Sequence, residues 1–141
     1  FVGGITGFLF ASCYVRVCLN TGNHKGSNVS HGQLAGGAHK GSIVSDSFVI
    51  GKTDSWNGFV GKYVDCASID MSGLYFYKNA SGISLMYERG KQLDSDKCGD
   101  ASSYSGWSIN GEGSLWKIQN ETSPNHPIPH NSEATITKST E

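Results

Sequence analysis

Short apolar runs alternate along the chain with segments rich in Gly, Ser, Thr and Asn, and no window carries the apolar stripe of an amphipathic helix. The runs are rich in β-branched and aromatic residues, which pack well on the pleated surface of a sheet. They predict strands over residues 13–19, 42–50, 59–66, 74–78, 83–88, 106–109 and 115–119. We therefore predict an all-β protein with little helix.

Turn residues separate the predicted strands at the spacing of a sandwich or barrel. Asn57-Gly58 and Asn110-Gly111 are dipeptides that favour two-residue type I′ hairpins, in which the asparagine has a positive φ. A third hairpin is predicted where residues 79–82 separate two apolar runs. These signals predict a small, disulfide-linked antiparallel β-sandwich or barrel built from hairpins.

The length of 141 residues suits a single domain. Three prolines, Pro124, Pro127 and Pro129, lie near the C-terminal end, where apolar side chains are few. This composition is typical of a linker or tail. We predict a disulfide-linked all-β domain over residues 1–118 and a Pro-containing, partly ordered tail over residues 119–141. Within that tail, residues 134–137 offer an additional edge strand.

Four cysteines, Cys13, Cys18, Cys66 and Cys98, form an even number without a CxxC pair, which disfavours a zinc site or redox motif. Cys13 and Cys18 are five positions apart, so on a regular strand they would point to opposite faces and would not bond each other. We therefore expect both to form disulfides with Cys66 and Cys98, in an order that the sequence leaves open.

Sequons for N-glycosylation occur at Asn28, Asn79 and Asn120. Together with the even number of cysteines they favour an oxidising, secretory route and an extracellular location. The chain has neither an initiator Met nor a basic segment before its apolar start, so we expect a processed form.

The net charge is −1 and no block of like charges is present, which excludes the electrostatic signature of nucleic-acid binding. The apolar segment 1–11 is too short to cross a bilayer as a helix. We interpret it as a buried first strand, with membrane contact through this segment as the alternative.

Residues 20–42 are rich in Gly, lack acidic side chains and carry His24, His31 and His39. Imidazole is a common ligand of Zn²⁺ and Cu²⁺, so these histidines are the candidate metal ligands. Their spacing matches no recognised metal signature, and a flexible Gly-rich loop positions ligands poorly. We favour a solvated loop without metal, with a pH-responsive loop as the alternative, and we expect no cofactor.

No catalytic motif of the serine elbow, zinc peptidase or Cys-His type is present. Glu88 and Glu112 are carboxylates available for glycoside hydrolysis, but the sequence gives no distance between them. Rigid aromatic side chains offer large contact areas at low entropic cost. Trp56 and Tyr104 lie beside turn residues and are therefore the predicted binding residues, on an exposed platform for sugar or protein.

The sequence thus predicts a secreted glycoprotein recognition module of the toxin, effector or surface-ligand class, which acts by binding rather than catalysis. Its expected partner is a protein or a glycan on a cell surface. A carbohydrate-binding, lectin-like domain is the alternative, and a small secreted hydrolase ranks third. Nothing in the pattern indicates an oligomeric state.

Overall fold

The computed structural model of the chain describes residues 2–23, 31–51, 58–61, 63–64, 69–77, 90–118 and 124–130. Strands make up most of the regular structure in this part of the chain, and the α-helix found there, α1 (Ser95–Cys98), has four residues. The predicted all-β class is therefore confirmed.

The strands are short and follow one another in successive coils. The first coil contains β1 (Val2–Gly3), β2 (Thr6–Leu9), β3 (Tyr14–Arg16) and β4 (Leu19–Asn20). The second coil contains β5 (His31–Gly32), β6 (Ala35–His39) and β7 (Ile43–Val49). The third contains β8 (Tyr63–Val64) and β9 (Asp70–Tyr77), and the fourth contains β10 (Gly90–Leu93).

Parallel ladders join each coil to the next. β1 pairs with β5, β2 with β6, and both β3 and β4 with β7. The third coil continues this order, since β6 pairs with β8, β7 with β9, and β9 with β10. Paired residues of the first two coils, such as Thr6 with Ala35 and Leu19 with Phe48, are always 29 positions apart. The coils therefore stack as a short parallel β-helix, which we call the coil stack (described residues 2–93).

The predicted antiparallel pairing is wrong for the coil stack, because every ladder between its described strands is parallel. Among the described residues an antiparallel ladder joins only β11 (Trp116–Ile118) and β12 (Pro127–Pro129). An alternating pattern indicates which side chains are buried but not the direction of the neighbouring strand. Parallel strands need a long connection, and here the remainder of each coil provides it.

The Asn-Gly dipeptides have mixed outcomes. Asn110 has the predicted positive φ of 62°. However, Ile109 before it and Trp116 after it form a parallel bridge, so this turn is not a two-residue hairpin. Asn57 and the predicted turn over residues 79–82 lie outside the described residues.

Residues with left-handed backbone conformation turn the chain at matching places in successive coils. Ser12 (φ 62°) and Gly41 (φ 77°) occupy one corner. Val17 (φ 54°), Asp46 (φ 49°) and Gly73 (φ 62°) occupy another, and the ladder registers place them one above the other. A positive φ is rare for a β-branched residue such as Val17. The bend at this corner is therefore imposed by the stacked coils and not by a local preference.

The bend at Val17 also changes the expected arrangement of the cysteines. It divides the strand predicted over residues 13–19, so Cys13 and Cys18 do not point to opposite sides but both pack, half-buried, against the coil interior. Cys98 is buried in a different core. These three are free thiols in the structure and Cys66 lies outside the described residues, so the two disulfides stay a prediction.

The His-bearing segment is only in part the solvated loop that we favoured. Residues 31–39 form β5 and β6, and Ala35 and Ala38 are fully buried in the coil interior. The solvated interpretation is therefore wrong for β6, which contains no β-branched residue to indicate a strand. The small side chains of β6 are buried beside larger ones, such as those of Leu34 and Phe59. The apolar start forms β1 and β2 as expected, although only Leu9 of β2 is buried.

Alternate residues of the long strands are buried in two different cores. Val49 and Phe76 are paired in register and point into the coil interior. Their neighbours Phe48 and Tyr75 are also paired and contact an aromatic core outside the coils. β7 and β9 are thus buried on both faces, as is typical of parallel sheets.

An amide cluster satisfies polar groups inside the coils. The Asn20 side-chain N–H₂ donates to the carbonyl of Gln33 at 2.6 Å and to its side-chain oxygen at 2.7 Å. The Gln33 side chain in turn donates to the carbonyl of Gly51 at 3.0 Å. Both side chains are buried, so these bonds offset a desolvation penalty that would otherwise destabilise the interior.

The chain after β10 covers the outer face of β7 and β9; we call residues 94–130 the C-terminal region. It contains α1, a 3₁₀ turn (Ala101–Ser103) and the β11–β12 ladder. Its Trp116, Tyr104 and Cys98 side chains form the second core with Phe48 and Tyr75. β12 belongs to the predicted tail, and the neighbouring residues 119–123 and 131–141 lie outside the described residues.

Candidate functional site

A serine and a histidine lie next to each other at the same end of the β11–β12 ladder. Ser114 precedes β11 and His130 follows β12, and the antiparallel register places them side by side. The Ser114 Oγ and His130 Nδ1 atoms are 3.1 Å apart. The backbone N–H of His130 also donates to the carbonyl of Leu115 at 2.9 Å, which fixes the position of the ring.

The hydrogen bonds of Ser114 decide what this pair does. Its Oγ lies 2.7 Å from the carbonyl oxygen of Gly111 and 3.0 Å from that of Trp116. When the hydroxyl proton is donated to one of these carbonyl oxygens, Oγ accepts from an Nδ1–H of His130; the tautomer of His130 decides between this arrangement and donation to its Nδ1. A nucleophilic serine needs the reverse arrangement, with its proton directed at the histidine lone pair. The two carbonyl acceptors around Oγ favour the first arrangement, in which Ser114 holds His130 in place and is not activated.

A surface depression of about 380 Å³ opens beside this pair and is lined by Gly113, Ser114, Leu115 and His130. We call it the Ser114–His130 pocket. The Leu115 side chain is 56% exposed at its edge. Among the described residues none forms a hydrogen bond with Nε2 of His130. The pocket thus combines an available imidazole nitrogen with an apolar contact.

A stack of aromatic rings supports the pocket from below. Trp116, which is buried, stacks on Trp107 with a ring separation of 4.4 Å, and Trp107 stacks on Tyr104 at 4.8 Å. Tyr75 of β9 packs edge-on against both Tyr104 and Trp107. Such stacked and T-shaped pairs hold rings in defined positions, so Trp116, which directly follows the pocket-lining residues, is fixed in place.

Tyr104 belongs to this base and not to an exposed platform. It is 3% exposed, and its hydroxyl donates to the carbonyl of Cys98 at 2.7 Å. Burial raises the pKa of the Tyr104 phenol well above its ordinary value. The expected exposure of Tyr104 is therefore wrong, because a tyrosine next to turn residues still packs inward when an aromatic core lies beneath it. Trp56 lies outside the described residues.

The structure describes only some of the predicted metal ligands. His24 lies outside the described residues, His31 is described only as part of the β5 backbone, and His39 is half-buried at the end of β6. Nδ1 of His39 is buried without a hydrogen-bond partner among the described residues. No group of three or more potential metal ligands occurs in the part of the chain that the structure describes.

The cysteines offer no activated nucleophile within the described residues. Burial, together with the charges of Asp94 and Asp96, raises the pKa of the Cys98 thiol to about 11. Burial likewise raises the pKa of Cys18. A reactive cysteine has the opposite shift, since the thiolate is the attacking species. In the free-thiol form these two cysteines are therefore protonated at neutral pH.

The remaining predicted positions have no structural test. The sequons at Asn28, Asn79 and Asn120 all lie outside the described residues, and so does Glu88. Glu112 is exposed on the turn before the pocket. Where the structure describes the chain, its helix is far too short to span a membrane.

Sequence reasoning did not find the Ser114–His130 pair. The two residues are 16 positions apart and belong to no recognised motif. His130 also lies in the segment predicted as a tail. The only local signal was the Asn110-Gly111 turn, which places Ser114 after a tight bend but says nothing about the strand that brings His130 to it.

Comparison with known proteins found no significant similarity between this chain and any protein family, curated protein or solved structure. The class that the geometry defines is an all-β coil stack with an aromatic-supported pocket. Its function has to be inferred from that pocket.

Proposed function

We propose that this protein is a recognition module that acts by binding rather than catalysis, and that the Ser114–His130 pocket is its binding site. The observation that carries the proposal is the hydrogen bonding of Ser114, whose Oγ has the carbonyl oxygens of Gly111 and Trp116 as two acceptors for its single proton. A serine held in this way positions His130 at the pocket and does not attack a substrate.

The pocket suits a polar group attached to an apolar surface, such as a side chain displayed by a partner protein. Nε2 of a neutral His130 accepts a hydrogen bond when Nδ1 carries the proton, and a protonated ring donates from both nitrogens. Leu115 supplies apolar contact beside it. The volume of about 380 Å³ lies at the lower end of the range for ligand pockets, which fits one side chain or one sugar ring.

We further propose that the module is a secreted glycoprotein of the toxin, effector or surface-ligand class, with disulfides formed on the secretory route. The support is the sequence, which has three sequons and four cysteines. Intact-mass measurement of protein secreted by eukaryotic cells, with and without glycosidase and reductant, tests this. An unmodified mass together with four free thiols would contradict it.

Carbohydrate binding is the second candidate function, because the pocket places two hydrogen-bonding side chains next to an apolar one. Sugars present hydroxyl groups and an apolar ring face to such a surface. A small secreted hydrolase ranks third. It would require the tautomer of His130 in which Nδ1, 3.1 Å from the Ser114 Oγ, accepts the hydroxyl proton.

The test is binding of the labelled protein to a glycan array and to intact cells. We expect His130→Ala and Leu115→Ser to weaken binding at least about ten-fold, the effect of removing a central contact. Gln92→Ala, on exposed β10, is the control and should bind normally. Binding to cells but not to glycans supports a protein partner, and binding to glycans supports the second candidate. Binding that both pocket variants leave unchanged would place the site elsewhere.

A further inference from the structure

The groups around the hydroxyl oxygen of Ser114 compete for its single proton. The carbonyl oxygens of Gly111 and Trp116 lie 2.7 Å and 3.0 Å from this oxygen, and Nδ1 of His130 lies 3.1 Å from it. A carbonyl oxygen only accepts, whereas Nδ1 donates or accepts according to the tautomer of the ring. The group that takes the hydroxyl proton therefore also decides where the ring carries its own proton.

Donation to a carbonyl allows more hydrogen bonds than donation to the histidine. In the first case Oγ of Ser114 gives its proton to a carbonyl and accepts from Nδ1–H of His130. In the second case both carbonyl oxygens face the lone pairs of Oγ without a proton between them. The distances agree with the first case. The 2.7 Å to the Gly111 carbonyl is usual for O–H···O, and the 3.1 Å to Nδ1 falls in the range of N–H···O.

Backbone hydrogen bonds fix the direction of both carbonyl groups. The Gly111 carbonyl also accepts from the N–H of Ser114 at 3.1 Å, and the Trp116 carbonyl accepts from the N–H of Asn110 at 3.0 Å. A carbonyl oxygen has two lone pairs, so each of these keeps one for the hydroxyl proton. The preference for a proton on Nδ1 of His130 is therefore built into the turn.

A proton on Nδ1 leaves Nε2 as the accepting nitrogen of a neutral ring. Among the described residues none forms a hydrogen bond with Nε2 of His130. The described residues that line the pocket include no cationic side chain other than this imidazole. A carboxylate or phosphate would bring lone pairs to Nε2 and would first have to protonate the ring. A hydroxyl or ammonium group donates to Nε2 directly.

We propose that Ser114 determines the ligand class of the pocket: it holds His130 in the Nδ1–H form, so the pocket selects a group that donates a hydrogen bond and rejects carboxylates and phosphates. This inference rests on the proposed function, because it concerns the same pocket. Ser114 is thus a positioning residue that acts through His130. Leu115, exposed at the edge, favours a donor carried on an apolar surface. A sugar hydroxyl and a tyrosine side chain share this chemistry.

Nitrogen NMR of the full chain, with isotope-labelled histidine rings, tests the tautomer without any ligand. The spectrum distinguishes the two neutral tautomers from each other and from the protonated ring, and His130→Ala assigns the signals. We expect the Nδ1–H form in wild type and a loss of this preference in Ser114→Ala. Ser108→Ala is the matched control and should keep the tautomer, because the Ser108 Oγ bonds the N–H of Leu115 at 3.0 Å instead of the imidazole. Circular dichroism and a thermal melt verify that the variants fold.

Paired probes that differ only in the hydrogen-bonding group test the ligand class. Methyl glucoside and methyl glucuronide carry a hydroxyl and a carboxylate at the same carbon of a sugar. Para-cresol and para-toluate carry them on the ring of a tyrosine-like side chain. Titrations followed at the signals of His130 and Leu115, at a pH where the ring is neutral, should give at least about ten-fold tighter binding of the hydroxyl probe. Ser114→Ala should reduce this ratio and Ser108→Ala should keep it. The pair that binds distinguishes a sugar from a protein side chain.

Each result has a defined meaning. A wild-type ring with its proton on Nε2 overturns the proposal, and an Nδ1–H form that persists in Ser114→Ala does so too. A carboxylate probe that binds as tightly as its hydroxyl counterpart, or no shift with any probe, also contradicts it. The proposed function fails separately, when His130→Ala and Leu115→Ser leave binding to cells and glycans unchanged, since the tautomer is measured without a partner.

Discussion

The coil stack and the C-terminal region are stabilised by different means. In the coil stack, parallel ladders join each coil to the next, and even a strand as short as Val2–Gly3 is held by pairing with the neighbouring coil. In the C-terminal region, the ladder is three residue pairs long, and aromatic side chains supply the order. Trp107, for example, contacts three other rings there.

The two regions are therefore expected to tolerate different substitutions. The coil stack depends on backbone shape. Its sensitive positions are therefore the corners, where the next coil leaves no space for a side chain, and the buried amide side chains of its interior. The C-terminal region depends on ring packing, so its sensitive positions are large side chains, and some of its turns leave open space around the backbone. Gly106 and Gly113, for instance, have no atom near the place of a Cβ. The pocket lies in the second region, on a loop whose shape the rings maintain.

The largest effect is expected where the C-terminal region loses a ring. Trp116→Ala removes a fully buried side chain that stacks on Trp107. We expect a loss of about 3–5 kcal/mol in the free energy of unfolding, the usual cost of such a cavity. Urea denaturation monitored by circular dichroism measures it. A loss below about 1 kcal/mol would show that the rings contribute little to stability. It would contradict the idea that ring packing stabilises the C-terminal region.

A smaller loss is expected from the interior of the coil stack. Gln33→Leu removes the donor to the Gly51 carbonyl and the acceptor of Asn20. Leaving such buried groups unsatisfied should lower the free energy of unfolding by about 2–3 kcal/mol. Gln92→Leu, on exposed β10, is the control and should stay within about 0.5 kcal/mol of wild type. Equal effects of the two substitutions would mean that the amide cluster is not formed.

Two glycines with positive φ give a direct test of the corners. Gly73→Ala places a Cβ against the Asp46 side chain of the neighbouring coil, whereas Gly106→Ala meets nothing. Both substitutions force a residue with a Cβ into the left-handed conformation, which lowers the free energy of unfolding by about 1 kcal/mol. Gly73→Ala adds the clash with Asp46, so we expect it to lower the free energy of unfolding by about 2 kcal/mol in total. Parallel urea titrations of the two variants measure the difference. If Gly106→Ala were the more damaging, the proposed contrast between the regions would be reversed.

The smallest effect is expected at the Arg16–Asp46 ion pair on the surface of the coil stack. Its atoms are 3.7 Å apart and both side chains are exposed, so solvent screens the attraction. Arg16→Ala should change the free energy of unfolding by less than about 1 kcal/mol. The same measurement at high salt should show no further change. A larger loss would assign the ion pair a part in holding the corner at Val17.

Several strands were predictable because their residues favour extended backbone on their own. The runs over 42–50 and 74–78 correspond to β7 and β9, and the run over 115–119 contains β11. β6 was not predictable, since Ala35–His39 has no β-branched or aromatic residue. Its extended conformation comes from neighbouring coils that pair with it on both sides.

The candidate site was less accessible to sequence reasoning than the strands. Tyr104 was found as an aromatic residue of interest, but its burial follows from Phe48, Tyr75 and Trp107, which come from three separate parts of the chain. Ser114 and His130 carry no motif, and they meet only because β12 pairs with β11. A pairing between strands has no signature in either strand alone.

The sequence by itself determined the local properties of this protein. Its apolar and β-branched runs determined the all-β class, and the Asn-Gly dipeptide determined a left-handed residue at Asn110. The tertiary structure alone decided strand direction, the bend at Val17 and the meeting of Ser114 with His130. The physical reason is range: backbone preferences act within a few residues, whereas the ladders of the first two coils join residues 29 positions apart. Which of two extended segments become neighbours depends on the free energy of the whole stack.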